Sequence, residues 1–406
     1  MDKKVIAFVT PRMIIGGAET YIITKAYWLI NNGFDVIVIS SGGENINNLP
    51  ANVPHFKIEK IDDSPLLFKS EEYKKFIDNV SNILIQNCVD VVEAHNTFPV
   101  FHIAMSYKQT GIPFCGNILH ELSYVRNPLL AIVTRKLNHY GLYYTLTSEM
   151  NTHIEKSIFS KLQPTILPIP VKALSDGSDK THHNYILSVC RLAEDKMYIK
   201  YLIKDFCELY MNNEKLRSYR LVIVGDGPLF EEISILVNKF NNSVHNNVIE
   251  LKGTVVGSKL EILYKECSAF VGMGTSLLLA ASCAKPCIIA GFSKSTEQYS
   301  WGYWGENPTD ENIIGIGNNH LRIKSSLSEA IEVLIMSTGR ALSSGAAARK
   351  MFVKHYDFDI IMSRWRDEYF NIIKNYSNNI KLKKSLSFTG RIIFLKALRY
   401  IYKTIF

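Results

Sequence analysis

Short β-branched runs alternate with longer amphipathic stretches along the first half of the chain. Val5–Thr10 and Asp35–Ser40 read as strands, and Ala18–Asn32 between them spaces its apolar positions as a helix does. Tyr73–Asn87 reads as a helix and Val89–Ala94 as a strand, and Phe114–Leu119 and Tyr144–Thr147 continue the series. Alternation of this kind predicts a parallel, doubly wound sheet. Between about Pro164 and Asn184 the pattern gives way to polar residues, Pro168, Pro170 and the run Ser175-Asp176-Gly177-Ser178-Asp179, which predicts a linker. The alternation then restarts. Tyr185–Val189, Arg220–Val224, Val248–Lys252, Ala269–Gly272 and Pro286–Ala290 read as strands. Tyr198–Met211, Leu229–Phe240, Lys259–Glu266 and a stretch opening at Leu277–Cys283 read as helices. The fold class expected is therefore α/β: two Rossmann-like doubly wound domains facing a cleft, with ligands at the carboxyl ends of the strands. Their expected bounds are 1–167 and 184–356, joined by 168–183 and followed by a closing helix over 357–380.

Composition narrows the class. A chain of 406 residues is too long for one ordinary core, and 47% apolar with 21% charged residues is globular. No apolar run approaches ~20 residues, so no membrane span is expected, and the short run after Met1-Asp2-Lys3-Lys4 suits a strand better than a signal peptide. Seven scattered cysteines without paired or zinc-type spacing point to reduced thiols and a cytoplasmic location. The net charge of +8 is uneven: residues 381–406 hold Lys381, Lys383, Lys384, Arg391, Lys396, Arg399 and Lys403 and no acid, so this tail carries +7 of it. A nucleic-acid-binding body is excluded on that distribution.

Candidate chemistry begins at Gly16-Gly17-Ala18-Glu19, between the first strand and the first helix. Glycines there admit a phosphate or sugar close to the backbone at a helix N-terminus, though an ordinary tight turn reads equally well. With Val189-Cys190-Arg191-Leu192-Ala193-Glu194-Asp195-Lys196, this resembles the family 4 retaining glycosyltransferases of the GT-B fold, bacterial surface-polysaccharide enzymes among them. The second stretch resembles that family's Gly-Arg-Leu-x-x-x-Lys signature, with Cys190 at the usual glycine. The resemblance implies that Arg191 and Lys196 hold the nucleotide diphosphate, where fixed cations stabilise the charge the leaving group gains. Gly225-Asp226-Gly227-Pro228 resembles the family's Gly-x-Gly-Pro turn, and Lys252-Gly253-Thr254-Val255 its loop facing the base; a structural turn fits both equally.

Val271-Gly272-Met273-Gly274-Thr275-Ser276-Leu277-Leu278-Leu279, running on to Lys285-Pro286, resembles the family's strongest signature and departs from it. Two glutamates usually flank this loop, one near the donor sugar and one on the ribose; here Val271 and Leu279 stand in their places. Gly272 and Gly274 are kept, and amides of Thr275, Ser276 and Leu277 at a helix N-terminus suit a diphosphate. Glu297 is a candidate substitute carboxylate. In the first domain, Glu93-Ala94-His95-Asn96 and His120-Glu121 resemble the family's two His-containing loops, with His120 the better candidate for orienting the donor sugar. A loop histidine bonded to backbone is the plain alternative for each. Asp357-Phe358-Asp359 is read as a helix N-cap and not as a metal motif.

On a helical wheel, Ile393, Phe394, Ala397, Leu398, Ile401 and Ile405 oppose Lys396, Arg399 and Lys403, which predicts an amphipathic tail on an anionic membrane surface or, alternatively, a helix packed on the first domain. The activity implied by the resemblance is transfer of a sugar from a nucleotide-diphosphate sugar to a hydroxyl acceptor with retention, lipid-linked or oligosaccharide, at the inner face of the membrane. No metal or other cofactor is expected. Two alternatives stay open: a catalytically impaired relative acting as scaffold or partner subunit, motivated by the missing glutamates, and a nucleotide-sugar epimerase, for which the apolar Val271–Leu279 stretch supplies no acid or base.

Overall fold

The computed structural model describes residues 3–14, 17–119, 128–158, 160–174, 183–291, 300–306 and 325–376. The chain divides into two compact units, Met1–Ile169 with Ile361–Phe406, and Pro170–Ile360. In the first, β1 (Val5–Val9) leads to α1 (Gly17–Asn31), β2 (Asp35–Ser40), β3 (His55–Lys57), α2 (Ser70–Gln86), β4 (Val91–His95), α3 (Thr97–Thr110), β5 (Phe114–Ile118), α4 (Pro128–His139), β6 (Tyr143–Thr145), α5 (Ser148–Ile158) and β7 (Thr165–Ile166). These strands form one sheet, all parallel, in the order β3-β2-β1-β4-β5-β6-β7. Helices cover both faces of such a sheet, so β1 from Ile6 to Val9 and all of β4 are buried. That is why β1 reads as an unbroken apolar run. The helix α3 ends on Gly111 in the left-handed conformation (φ 66°), where glycine carries no Cβ penalty.

The second unit repeats the plan: β8 (Tyr185–Val189), α6 (Tyr198–Asn212), β9 (Arg220–Val224), α7 (Phe230–Val244), β10 (Ile249–Leu251), α8 (Ser258–Glu266), β11 (Ala269–Gly272), α9 (Thr275–Ser282), β12 (Cys287–Ala290), β13 (Ser300–Tyr303), α10 (Leu327–Met336) and α11 (Thr338–His355). The sheet order is β10-β9-β8-β11-β12-β13, parallel except for β13, which pairs antiparallel with β12. Alternate strand residues enter two separate cores. Ile186, Leu221, Ile223, Val271 and Ile288 pack on one face, and Leu187, Val222, Val224, Phe270 and Ile289 on the other. Ser326 and Glu329 form a capping box that starts α10.

The last described helix, α12 (Phe358–Tyr376), starts where the Asp357 carboxylate accepts the Ile360 amide at 3.3 Å, as the N-cap reading requires. From Ile361 onward it belongs to the first unit. There the Tyr144 hydroxyl donates to Glu368 at 2.8 Å, and the rings of Tyr144 and Trp365 lie 5.0 Å apart. The tail 381–406 lies outside the described residues, as do Gly16, His120, Glu121 and Glu297.

Candidate functional site

In each sheet the strand order reverses once, between β1 and β4 in the first unit and between β8 and β11 in the second. Connections from those two strands leave in opposite directions, which opens a crevice at their carboxyl ends where α/β folds bind ligands. In the second unit the segments at that crevice are Cys190–Lys196, after β8, and Gly272–Ser276, after β11. The sequence singled out both of them.

These segments meet. The Lys196 ammonium donates to the Met273 sulfur at 3.2 Å, placing the cation on the loop that opens α9. Arg191 lies two residues beyond the end of β8, ahead of the 3-10 turn Glu194–Lys196, and bonds Asp195 at 3.1 Å, while Lys196 lies 3.5 Å from the same carboxylate. The Arg191 side chain is 70% exposed and that of Lys196 24%, so both remain accessible to an incoming anion. Lys196 and Arg191 together hold the Asp195 carboxyl below its ordinary pKa, against the burial that would raise it. Burial of the Cys190 thiol pushes it up to about 11, so it is neutral near pH 7.

The glycine turn Gly225–Pro228 supports this loop. Cys190 and Leu192 donate their amides to Val224 and Asp226 at 3.1 and 2.9 Å, and Leu229 returns one to Leu192 at 3.0 Å. A Cβ on Gly225 (φ +144°) would sit 1.8 Å from the Cys190 carbonyl oxygen, and one on Gly227 (φ +147°) 2.5 Å from that of Leu192. Only glycine allows so close a backbone approach. Gly253 is tied in as well, its carbonyl accepting the Gly225 amide at 2.8 Å.

Gly274 (φ 69°) precedes α9, and no side chain caps that helix. The Leu277 amide is already bonded to the Gly274 carbonyl at 3.1 Å, and the Leu277 side chain is buried in the core. The expectation that three amides face an anion therefore narrows to two, Thr275 and Ser276, which precede the first internal donor of the helix. The Ser276 hydroxyl donates to the Met273 carbonyl at 3.0 Å, which ties the loop to the helix it opens. Gly272 is needed for packing, since a Cβ there would come within 2.8 Å of the Phe270 ring. Val271 is fully buried among Ile186, Ile223 and Ile288, and Leu279 packs against the opposite core. Both positions are absorbed into apolar packing.

In the first unit, Gly17 opens α1 and a Cβ on it would meet nothing within 4 Å, so packing does not explain the glycine. Glu93 lies in β4, within the expected strand Val89–Ala94, while His95, expected on a loop beyond that strand, is the last residue of β4; both are fully buried. Glu93 accepts from His95 Nε2 and Asn117 Nδ2 at 2.9 Å each, from Lys25 Nζ at 2.7 Å and from the Tyr369 hydroxyl. Lys25, on α1, lies 3.2 Å from the centre of the Trp365 ring. Burial lowers the Lys25 pKa to about 8 against the pull of Glu93. Burial would raise Glu93, but Lys25 and His95 hold it below the ordinary carboxylate value, so the pair is charged at neutral pH. Sequence reasoning missed this cluster. Its only sequence signal is a glutamate in an apolar strand. Among the described residues no group of three or more His, Cys, Asp or Glu side chains is placed to hold a metal ion, and no helix is long and apolar enough to cross a membrane.

Residues 183–301 match the family described as Glycosyl transferases group 1. A comparison with curated proteins finds no match. Among solved structures, a glycosyltransferase from Rickettsia africae ESF-5 superposes with a TM-score of 0.67 at 15% identity, over 92% of this chain and 100% of the other. Anabaena HepE in complex with UDP gives 0.62 at 14% identity, over 90% and 99%. The lipopolysaccharide outer core galactosyltransferase WaaB gives 0.58 at 15% identity, again over 90% and 99%. The chain thus has the fold of the GT-B glycosyltransferases, two α/β domains with parallel sheets, and its second domain carries the group 1 sequence match.

Proposed function

We propose that the protein is a retaining glycosyltransferase that moves a sugar from a nucleotide-diphosphate sugar to a hydroxyl acceptor in cell-surface polysaccharide assembly. The observation that carries this reading is the meeting of Lys196 with the Gly272–Ser276 loop at the switch point of the second sheet, with Arg191 on the same Cys190–Lys196 segment. In the reaction, the bond from the sugar C1 to the diphosphate breaks with its electron pair on the phosphate oxygen. The acceptor oxygen bonds C1 from the same face, and its proton passes to the departing phosphate oxygen. Arg191 and Lys196 stabilise that developing charge, and the Thr275 and Ser276 amides add a helix N-terminus to it. Two side-chain cations take this role without a metal ion, so the proposal includes none. Gly16, Gly17 and His120 are assigned to donor phosphate and sugar by the family resemblance alone.

UDP is the first nucleotide to test, since it is what HepE binds in its structure. The basic tail 381–406 is assigned to an anionic membrane surface at the cytoplasmic side, which suits a lipid-linked acceptor. A second reading, a scaffold or partner subunit without activity, is favoured by Val271 and Leu279 alone. The deciding experiment incubates the full chain with UDP- and GDP-sugars and a membrane lipid extract. Product glycoside formation is followed by mass spectrometry, and the anomeric configuration by NMR. A product with the donor's configuration supports the proposal. An inverted product removes retention, and no product from any donor favours the scaffold.

A further inference from the structure

The two cations assigned to the donor diphosphate already share an anion. The Asp195 carboxylate bonds Arg191 at 3.1 Å through one oxygen and lies 3.5 Å from Lys196 through the other. Among the described residues, the other contact of the Lys196 ammonium is the Met273 thioether, a weak acceptor for a charged donor. One carboxylate against two cations presents the same charge pattern as a phosphate group. The Asp195 side chain is 41% exposed, so it is free to turn away from the site into water. A diphosphate cannot take full possession of Arg191 and Lys196 while Asp195 keeps them.

We propose that Asp195 is a built-in counter-ion of the two donor-site cations, exchanged for the diphosphate on binding and returning as the nucleoside diphosphate leaves. It is a positioning and affinity-setting residue, not a catalytic one. It keeps Arg191 and Lys196 directed at one point while no ligand is present. It also weakens the hold on the product, which carries more charge on its terminal phosphate than the intact donor does. The inference rests on the donor-site reading above. Glu194, one residue earlier, carries the same charge and pairs with neither cation among the described residues, which makes it a matched control.

The test titrates the full chain with UDP, UMP, GDP and GMP at low and high ionic strength, comparing wild type with Asp195→Asn, Asp195→Ser and Glu194→Gln. Each exposed pair is weak, so the expected gain is modest: the diphosphate that binds wild type binds both Asp195 variants roughly three- to tenfold more tightly. The gain is smaller for the monophosphate, shrinks as salt rises, and is absent in Glu194→Gln. A merely structural role does not produce tightening that scales with phosphate number. Equal or weaker diphosphate binding in folded Asp195→Asn and Asp195→Ser overturns the proposal and leaves the donor site standing. Absence of binding by every variant and the wild type removes the donor-site reading and this inference with it.

Discussion

Replacing Glu93 by Gln should destabilise the first unit by about 3–5 kcal/mol, the range for leaving one partner of a buried ion pair uncompensated. Glu93 and Lys25 are both 0% exposed and 2.7 Å apart. Three further donors converge on the carboxylate, from His95, Asn117 and Tyr369, so removing its charge weakens contacts from α1, β4, β5 and α12 together. Lys25→Met should cost a similar amount, because it strands the carboxylate instead. The double variant should cost less than the sum by about 2 kcal/mol or more, since neither charge is then left alone. Urea unfolding read by circular dichroism gives the energies, and amide exchange of peptides from α1 and α12 assigns the loss to this unit. Single substitutions costing under about 1 kcal/mol, or strictly additive effects, refute the claim that this cluster ties α12 to the sheet.

The same pair gives a pH signature. The Lys25 pKa falls from 10.5 unfolded to about 8 folded, so between those values the unfolded chain holds a proton that the folded one has released. That group's contribution to stability therefore rises with pH across the window, and Lys25→Met should flatten the rise in urea midpoints measured from pH 8 to 10.5. Gly225→Ala should cost about 2–4 kcal/mol and weaken nucleotide binding, because its Cβ would strike the Cys190 carbonyl; thermal melts and titration check both. Leu279→Glu, at a partly buried position, should tighten binding of the preferred nucleotide by roughly tenfold if that position faces a ribose, the gain expected for a charged hydrogen bond. Unchanged binding in this variant contradicts the alignment of Leu279 with the ribose ligand. Removing 381–406 should abolish sedimentation with vesicles containing phosphatidylglycerol, and binding that persists would move the membrane contact elsewhere.

The parallel sheets were legible because their buried strands form near-continuous apolar runs, as in Tyr185–Val189 and Arg220–Val224, which became β8 and β9 unchanged. The helix α3 left no periodic signal, since it is buried on most of its circumference from Thr97 to Tyr107. The antiparallel β13 followed no alternation rule and pairs with β12 through an irregular register. Arg191, Lys196 and the Gly272–Gly274 loop were singled out because their motifs are local in sequence, and the structure brings Lys196 onto that loop. The glycine turn Gly225–Gly227 was visible as a motif, but its purpose was not, because the clash it avoids is with a backbone 35 residues away. The pairing of Glu93 escaped the sequence for the same kind of reason: its partner Lys25 is 68 residues distant, and nothing local marks it.

The proposed donor site holds a nucleotide diphosphate through Arg191 and Lys196, with Val271 and Leu279 at the positions where the family it resembles carries two glutamates. Calorimetric titration of the full chain with UDP and GDP, beside an Arg191→Ala, Lys196→Ala double variant, tests it most directly. Saturable binding of one of the two nucleotides is expected, with a loss of about a hundredfold or more in the folded double variant. Equal affinity in the two proteins, or no binding of either nucleotide by the folded wild type, contradicts it.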